Sequence, residues 1–285
     1  MKNKNYLLLS VAIALASCSA DNITESTLNP ANELTLQRVE TYYPSKQMYD
    51  GMNDTEYVGK NVQYFESGYV VADSTFNHFH NLQSTTEYTH TSNSASVISY
   101  DNENTVLSTS LFNYDSLGRI TELSVSSVDI NYRKTMSYAA DNSCTVTIHY
   151  NQSGSSEIWG TFNANEDGMF YARNSPNENE MLIFEDGKPV TYKQAMLDSN
   201  TLLNIEYYNI PVPTNRLKTV TQTNNITLMG DLVTSVAENS NYYLKNLGGI
   251  YNYDSAFNDL NYITHTFFTS MPYQTTQEIF YYYNE

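Results

Sequence analysis

The chain has 285 residues, with 14 Lys+Arg against 31 Asp+Glu, 26 Tyr, 2 Cys and only 16% charged residues. A formal charge of −17 excludes nucleic acid as a partner and a polybasic grip on an anionic membrane, because both rest on basic side chains neutralising phosphates. The shortfall in charge is filled by Tyr, Thr, Ser and Asn rather than Ala, Leu, Glu and Lys. That rules out a helical bundle or coiled coil and leaves a β-rich chain long enough to bury a core.

At the amino end, Lys2 and Lys4 precede an apolar run from Tyr6 to Ala16. The run is too short for a mature membrane helix, which takes about 20 residues. Leu15-Ala16-Ser17-Cys18 follows and resembles the lipobox of bacterial lipoproteins. The resemblance implies a signal peptide over 1–17, cleavage between Ser17 and Cys18, and diacylglyceryl and acyl chains on Cys18, a stable membrane anchor. Ser19, in place of Asp after the cysteine, points to the outer membrane, on its periplasmic or cell-surface face. Residues 18–36 then read as the lipidated cysteine and a polar tether without apolar periodicity. With Cys18 taken by lipid, Cys144 has no disulfide partner and reads as a buried thiol.

From residue 37 to 285 short runs rich in Val, Ile, Thr, Tyr and Phe alternate with turn residues. Ser67-Gly68, Ser153-Gly154, Asp167-Gly168 and Asp186-Gly187 each separate two such runs. Asp-Gly between apolar runs marks a hairpin, because a type I′ turn needs positive φ at both central residues. The expected fold is all-β, an antiparallel meander of hairpins forming one large curved sheet or open barrel. A minor helical segment is expected within Tyr192–Tyr208, around Ala195-Met196-Leu197 and Leu202-Leu203, stopped by Pro211 and Pro213. A subdivision of the domain is expected near 190–215.

Phe112-Asn-Tyr-Asp-Ser-Leu-Gly-Arg-Ile-Thr-Glu-Leu recurs in relaxed form as Tyr251-Asn-Tyr-Asp-Ser-Ala-Phe and Ile98-Ser-Tyr-Asp-Asn-Glu. Each reads as a strand ending in Tyr-Asp, a turn held by the Asp side chain, and a second strand. Tyr114, Asp115, Gly118 and Arg119 resemble the YD repeat of Rhs-type cell-surface β proteins. Similar units occur in Bacteroidetes envelope lipoproteins, including a family of unknown function described as porin-like. The resemblance implies stacked hairpins, with these residues structural. Asp73-Ser74-Thr75, Asp115-Ser116-Leu117 and Asp254-Ser255-Ala256 resemble the O-glycosylation acceptor of exported Bacteroidetes proteins, which makes Ser74, Ser116 and Ser255 the acceptors.

No catalytic residue, resident metal or cofactor is expected beyond the acyl lipid on Cys18. Asn163-Ala-Asn-Glu-Asp-Gly resembles the start of a calcium loop but has Asn163 for Asp and Asn174 for the bidentate Glu, so it reads as a turn. Loose calcium binding at surface carboxylates remains an expectation. His78-Phe-His80, with Glu87 and His90, lacks the spacing of a zinc site and reads as exposed histidines. The chain therefore reads as a non-catalytic surface or periplasmic binding or structural module, tethered to the membrane by lipid, with a glycan or protein partner. The alternatives are a glycan-binding accessory lipoprotein using Trp159 and the tyrosines, an integral outer-membrane β-barrel, and a secreted hydrolase.

Overall fold

The computed structural model describes residues 34–44, 57–66, 69–176, 178–196, 199–216, 218–230, 232–238, 240–270 and 275–284. Ser17 and Cys18 lie outside them. The strands are β1 (Leu36–Pro44), β2 (Tyr57–Glu66), β3 (Tyr69–Asn77), β4 (Leu82–His90), β5 (Ser94–Asp101), β6 (Val106–Tyr114), β7 (Ile120–Ser127), β8 (Asn131–Tyr138) and β9 (Cys144–Tyr150). Then follow β10 (Ser156–Ala164), β11 (Phe170–Asn174), β12 (Glu178–Glu185), β13 (Lys188–Met196), β14 (Ser199–Pro211), β15 (Tyr242–Leu247), β16 (Tyr251–Phe257), β17 (Ile263–Ser270) and β18 (Thr275–Tyr283). Each pairs antiparallel with the next in sequence, and β1 also pairs with β18. The expected meander is present, and its 18 strands close into a barrel. Closure removes the edges that an open sheet would expose.

Two-residue alternation decides which side of the wall is buried. On β5, Ala95, Val97 and Ser99 are buried while Ser94, Ser96 and Ile98 are not. Register carries this face across the neighbours as Ala95↔Phe112, Phe112↔Leu123 and Cys144↔Phe162. At Asp186-Gly187 both φ angles are positive, 49° and 76°, as the type I′ expectation required.

The helical expectation over 192–208 is corrected. Residues 192–196 and 199–208 lie in β13 and β14, laddered from Thr191↔Asn204 to Met196↔Ser199, while Leu197 lies outside the described residues. Tyr192 is buried and Lys193 exposed, so the strand period holds where short apolar pairs suggested helical turns. The ladder continues from β14 into β15. The helices come later, between β14 and β15: a 3₁₀ turn (Thr214–Arg216), α1 (Val220–Thr227) and α2 (Leu232–Glu238). A capping box starts α1, with the Thr219 side chain accepting from the Gln222 N–H and the Gln222 side chain accepting from the Thr219 N–H. Both helices are inserted into the barrel. Leu228, Leu232, Val233, Val236 and Ala237 join inward residues of β3 to β15 in one apolar core.

The insertion plugs one end of the barrel. The Asn225 side chain accepts from Ile120 N–H (3.0 Å) and donates to Gly118 C=O (2.9 Å). Asn224 does the same to Phe170 N–H (2.9 Å) and Gly168 C=O (2.8 Å). Two adjacent amides thus hold two equivalent hairpin turns of that end. Both chain ends meet there too: Thr35 N–H donates to the Asn284 side chain, and Asn284 N–H to Thr35 C=O.

Candidate functional site

The repeat turn has a definite geometry. The Asp115 carboxylate accepts from Leu117 N–H (2.9 Å), Arg119 N–H (3.0 Å) and the Arg119 guanidinium (2.7–2.8 Å). The Arg119 hydrogen bond and these amides hold the Asp115 carboxyl below the usual range, against a burial that works the other way. Gly118 supplies φ 74°, and the Arg119 guanidinium lies 4.1 Å from the Tyr138 ring centroid.

The same backbone pattern recurs at turns starting at Asn77, Asp101, Ala139, Asn165 and Asn258. In each, residue i donates to C=O of i+4, residue i+3 donates back to C=O of i, and i+3 has positive φ. This is a type I turn closed by a left-handed residue, the commonest three-residue hairpin loop. The Ile98 copy fits, with its turn at Asp101. The Tyr251 copy is misplaced in sequence: Tyr253 and Asp254 lie within β16, and its turn starts at Asn258, preceded by Phe257.

The proposed acceptors are differently placed. Ser116 is exposed at its turn. Ser74 is half-buried within β3. Ser255 lies opposite the buried Thr266, hydrogen-bonded to its hydroxyl at 2.9 Å. His78 and His80 sit in the β3–β4 turn, and His90 lies at the other end of β4, its Nε2 3.1 Å from Val70 C=O. Among the described residues no group of three His, Cys, Asp or Glu is arranged to hold a metal. Cys144 is fully buried, and burial pushes its thiol up to about 12. Asn165, within the calcium-like segment, instead spends its side chain on Met169 N–H.

Composition and spacing gave no sign of what the interior holds. A layer of polar residues lies inside the wall, beyond the apolar core as seen from the plug. On β8, β10, β11, β12 and β13 these are Lys134, Trp159, Arg173, Glu178, Glu180, Tyr192 and Gln194. The Lys134 ammonium sits 3.7 Å from the Trp159 centroid and the Arg173 guanidinium 4.9 Å from it. Arg173 pairs with Glu178 (2.8 Å) and Glu180 (3.0 Å). Tyr192 donates to Glu180 at 2.5 Å, and Gln194 donates to Glu178. Trp159 is thus engaged by two cations inside the barrel and is no sugar platform on its outside.

On the facing strands Asp73 is 4% exposed and accepts from the Tyr88 hydroxyl at 2.7 Å. Burial raises its carboxyl, against the hydrogen bonds of Tyr88, Thr86 and Asn61. Thr86 and Ser99 share a 3.0 Å bond beside it. Lys134 at 7% and Glu180 at 4% exposure show that this layer is packed. An 18-strand porin would leave such inward residues lining an aqueous channel.

Burial lowers the Lys134 amine to about 8, with the Arg173 charge adding to the effect. Below pH 8 the fold holds a poorly solvated ammonium. Above that, up to the ordinary value of 10.5, the unfolded chain binds more protons, so stability rises with pH through this window. Lys134→Met should flatten that rise in the urea midpoint, and an unchanged rise in the variant would assign it to another group.

Across β7 to β9 the outer wall is polar. Glu122, Ser124 and Ser126 on β7, Arg133 and Thr135 on β8, and Thr145, Thr147 and His149 on β9 all face outward by register. Leu111 is exposed on β6, and Met181 and Leu202 flank Lys193 in one cross-strand row and line a groove with Ala172 and Ala195. An aromatic and charged set covers β18, β1 and β2: Arg38 lies 4.3 Å from the Tyr282 centroid and Tyr42 meets Phe280 edge-on at 5.7 Å.

No protein-family model matches the chain, and no curated protein does. The chain is similar to a solved porin-like protein from Bacteroides uniformis, at 13% identity over 88% of this chain and 99% of that one, with a TM-score of 0.46. A porin-like protein from Bacteroides vulgatus aligns over the same shares at 8% identity and a TM-score of 0.36. A Bacteroides fragilis protein of unknown function aligns over 48% of this chain at 11% identity and a TM-score of 0.20.

Proposed function

We propose that this chain is a non-catalytic envelope module, a filled barrel standing in water and held to the outer membrane by lipid on Cys18. The observation that supports this most is the polarity of the wall. Membrane-spanning barrels turn an apolar band outward and a polar face inward. Here the apolar core residues of β3 to β15 point inward onto α1 and α2, and β7 to β9 turn hydroxyls and charges outward. The tether would enter at the plugged end, where Leu34 C=O accepts from Asn215, so the opposite rim would face away from the membrane. That rim carries exposed Phe79, Val106 and Val128, a surface for the glycan or protein partner.

The integral outer-membrane barrel is the second reading. It is favoured by the closure itself, an even number of strands joined to their sequence neighbours and, at the seam, first to last. Expressing residues 19–285 without detergent separates the two. A monodisperse soluble barrel is the expected result, and a chain that stays folded only in detergent would favour the integral barrel. Palmitate labelling lost in Cys18→Ser tests the anchor.

A further inference from the structure

The β15–β16 ladder is the shortest among the described strand pairs. β15 pairs with β16 only at Asn246↔Asn252 and Leu247↔Tyr251, beside the hairpin turn, while β16 pairs with β17 from Tyr251 to Phe257. On its other side the β14 register jumps from Tyr207↔Leu244 to Pro211↔Tyr242. From Tyr253 to Phe257, on the side toward the plugged end, β16 therefore has no register partner in β15.

Among the described residues, the Tyr208 side chain meets this edge of β16. Tyr208 on β14 donates its hydroxyl to Tyr253 C=O at 2.6 Å and accepts from Ser255 N–H at 2.9 Å. Its ring packs on Phe257 at 5.3 Å, and the Tyr243 ring lies 5.0 Å from Phe257. Tyr253 and Ser255 are two residues apart, so their main-chain groups point the same way. A single hydroxyl thus stands where a neighbouring strand would present its own N–H and C=O.

We propose that this seam is a strand-acceptor site, which an extended polypeptide segment of a partner protein enters by displacing the Tyr208 hydroxyl and pairing with β16 from Tyr253 to Phe257. Only another backbone offers donors and acceptors at a two-residue repeat, and the aromatic rings give its alternate side chains a surface to pack on. The inference holds whether the barrel is tethered or membrane-integral.

The test uses the full chain and a synthetic peptide copying Tyr242–Leu247, the strand that β16 already meets at one end. Saturable binding by fluorescence anisotropy is expected, with exchange of the Ser255 amide slowed at least tenfold, as an order of magnitude for a newly paired strand amide. Tyr208→Phe keeps the ring and removes the hydroxyl, and should tighten binding by about three- to tenfold, the usual worth of one or two hydrogen bonds. A peptide with proline at its centre should not bind. No saturable binding to either protein, or binding that leaves Ser255 exchange unchanged, would overturn the proposal. Ser255 protection that grows with protein concentration alone would overturn it in favour of a second copy of this chain.

Discussion

Arg173→Met should lower the unfolding free energy by about 3–5 kcal/mol at pH 7, the range for removing one partner of a buried ion pair. Arg173 bridges Glu178 and Glu180, and the Glu180 side chain is only 3% exposed. Without the guanidinium two carboxylates remain in a packed interior, with Tyr192 and Gln194 as donors. The loss should be read in urea at several pH values. Carboxyls deprived of Arg173 bind protons more readily in the fold, so the deficit of the variant should shrink as pH falls toward 5. Combining the change with Glu178→Gln and Glu180→Gln should recover much of the loss. A cost below about 1 kcal/mol, typical of an exposed pair, would mean that water reaches this layer.

Asn225→Ala should cost about 2–4 kcal/mol, since it strands Ile120 N–H and Gly118 C=O and each buried unsatisfied group costs about 1–3 kcal/mol. Asn225 is 3% exposed, so water cannot readily replace the amide. Asn225→Asp keeps an acceptor for Ile120 but sets an oxygen against the Gly118 carbonyl, and should not rescue. Amide exchange gives the local readout. The Ile120 N–H should lose protection in both variants, and retained protection would show that the plug is held by other contacts.

Much of the wall was legible because a strand announces itself through local chemistry. Asp186-Gly187 and Tyr114 to Arg119 carry their turn conformations in their own side chains. Ala139 and Asn258 adopt the same turn, with Ala139 lacking the carboxylate that would have marked it. Closure was not legible, since nothing in β1 or β18 alone specifies the other. The helices were missed for a different reason. Val-Thr-Gln-Thr-Asn-Asn-Ile-Thr, the whole of α1, is built, apart from Gln222, from β-branched and Asn residues that are weak helix formers. Burial on several faces and its cap hold it helical, and only Thr219-x-x-Gln222 signalled a start in sequence. The interior cluster could not be read either, because Lys134, Trp159, Arg173 and Glu180 come from four strands and meet only through register.

The ladder between β1 and β18, from Leu36↔Tyr283 to Tyr42↔Glu278, also bears on how the molecule is made. It joins the two most distant strands of the chain, so the slowest loop to close is the one that completes the ring. During synthesis β1 has β2 on one side and nothing on the other until the last strand emerges. A chain truncated anywhere before β18 therefore keeps two bare strand edges, each able to recruit a second unfinished copy. The final nine residues of the sheet decide whether the product is a ring or an aggregate.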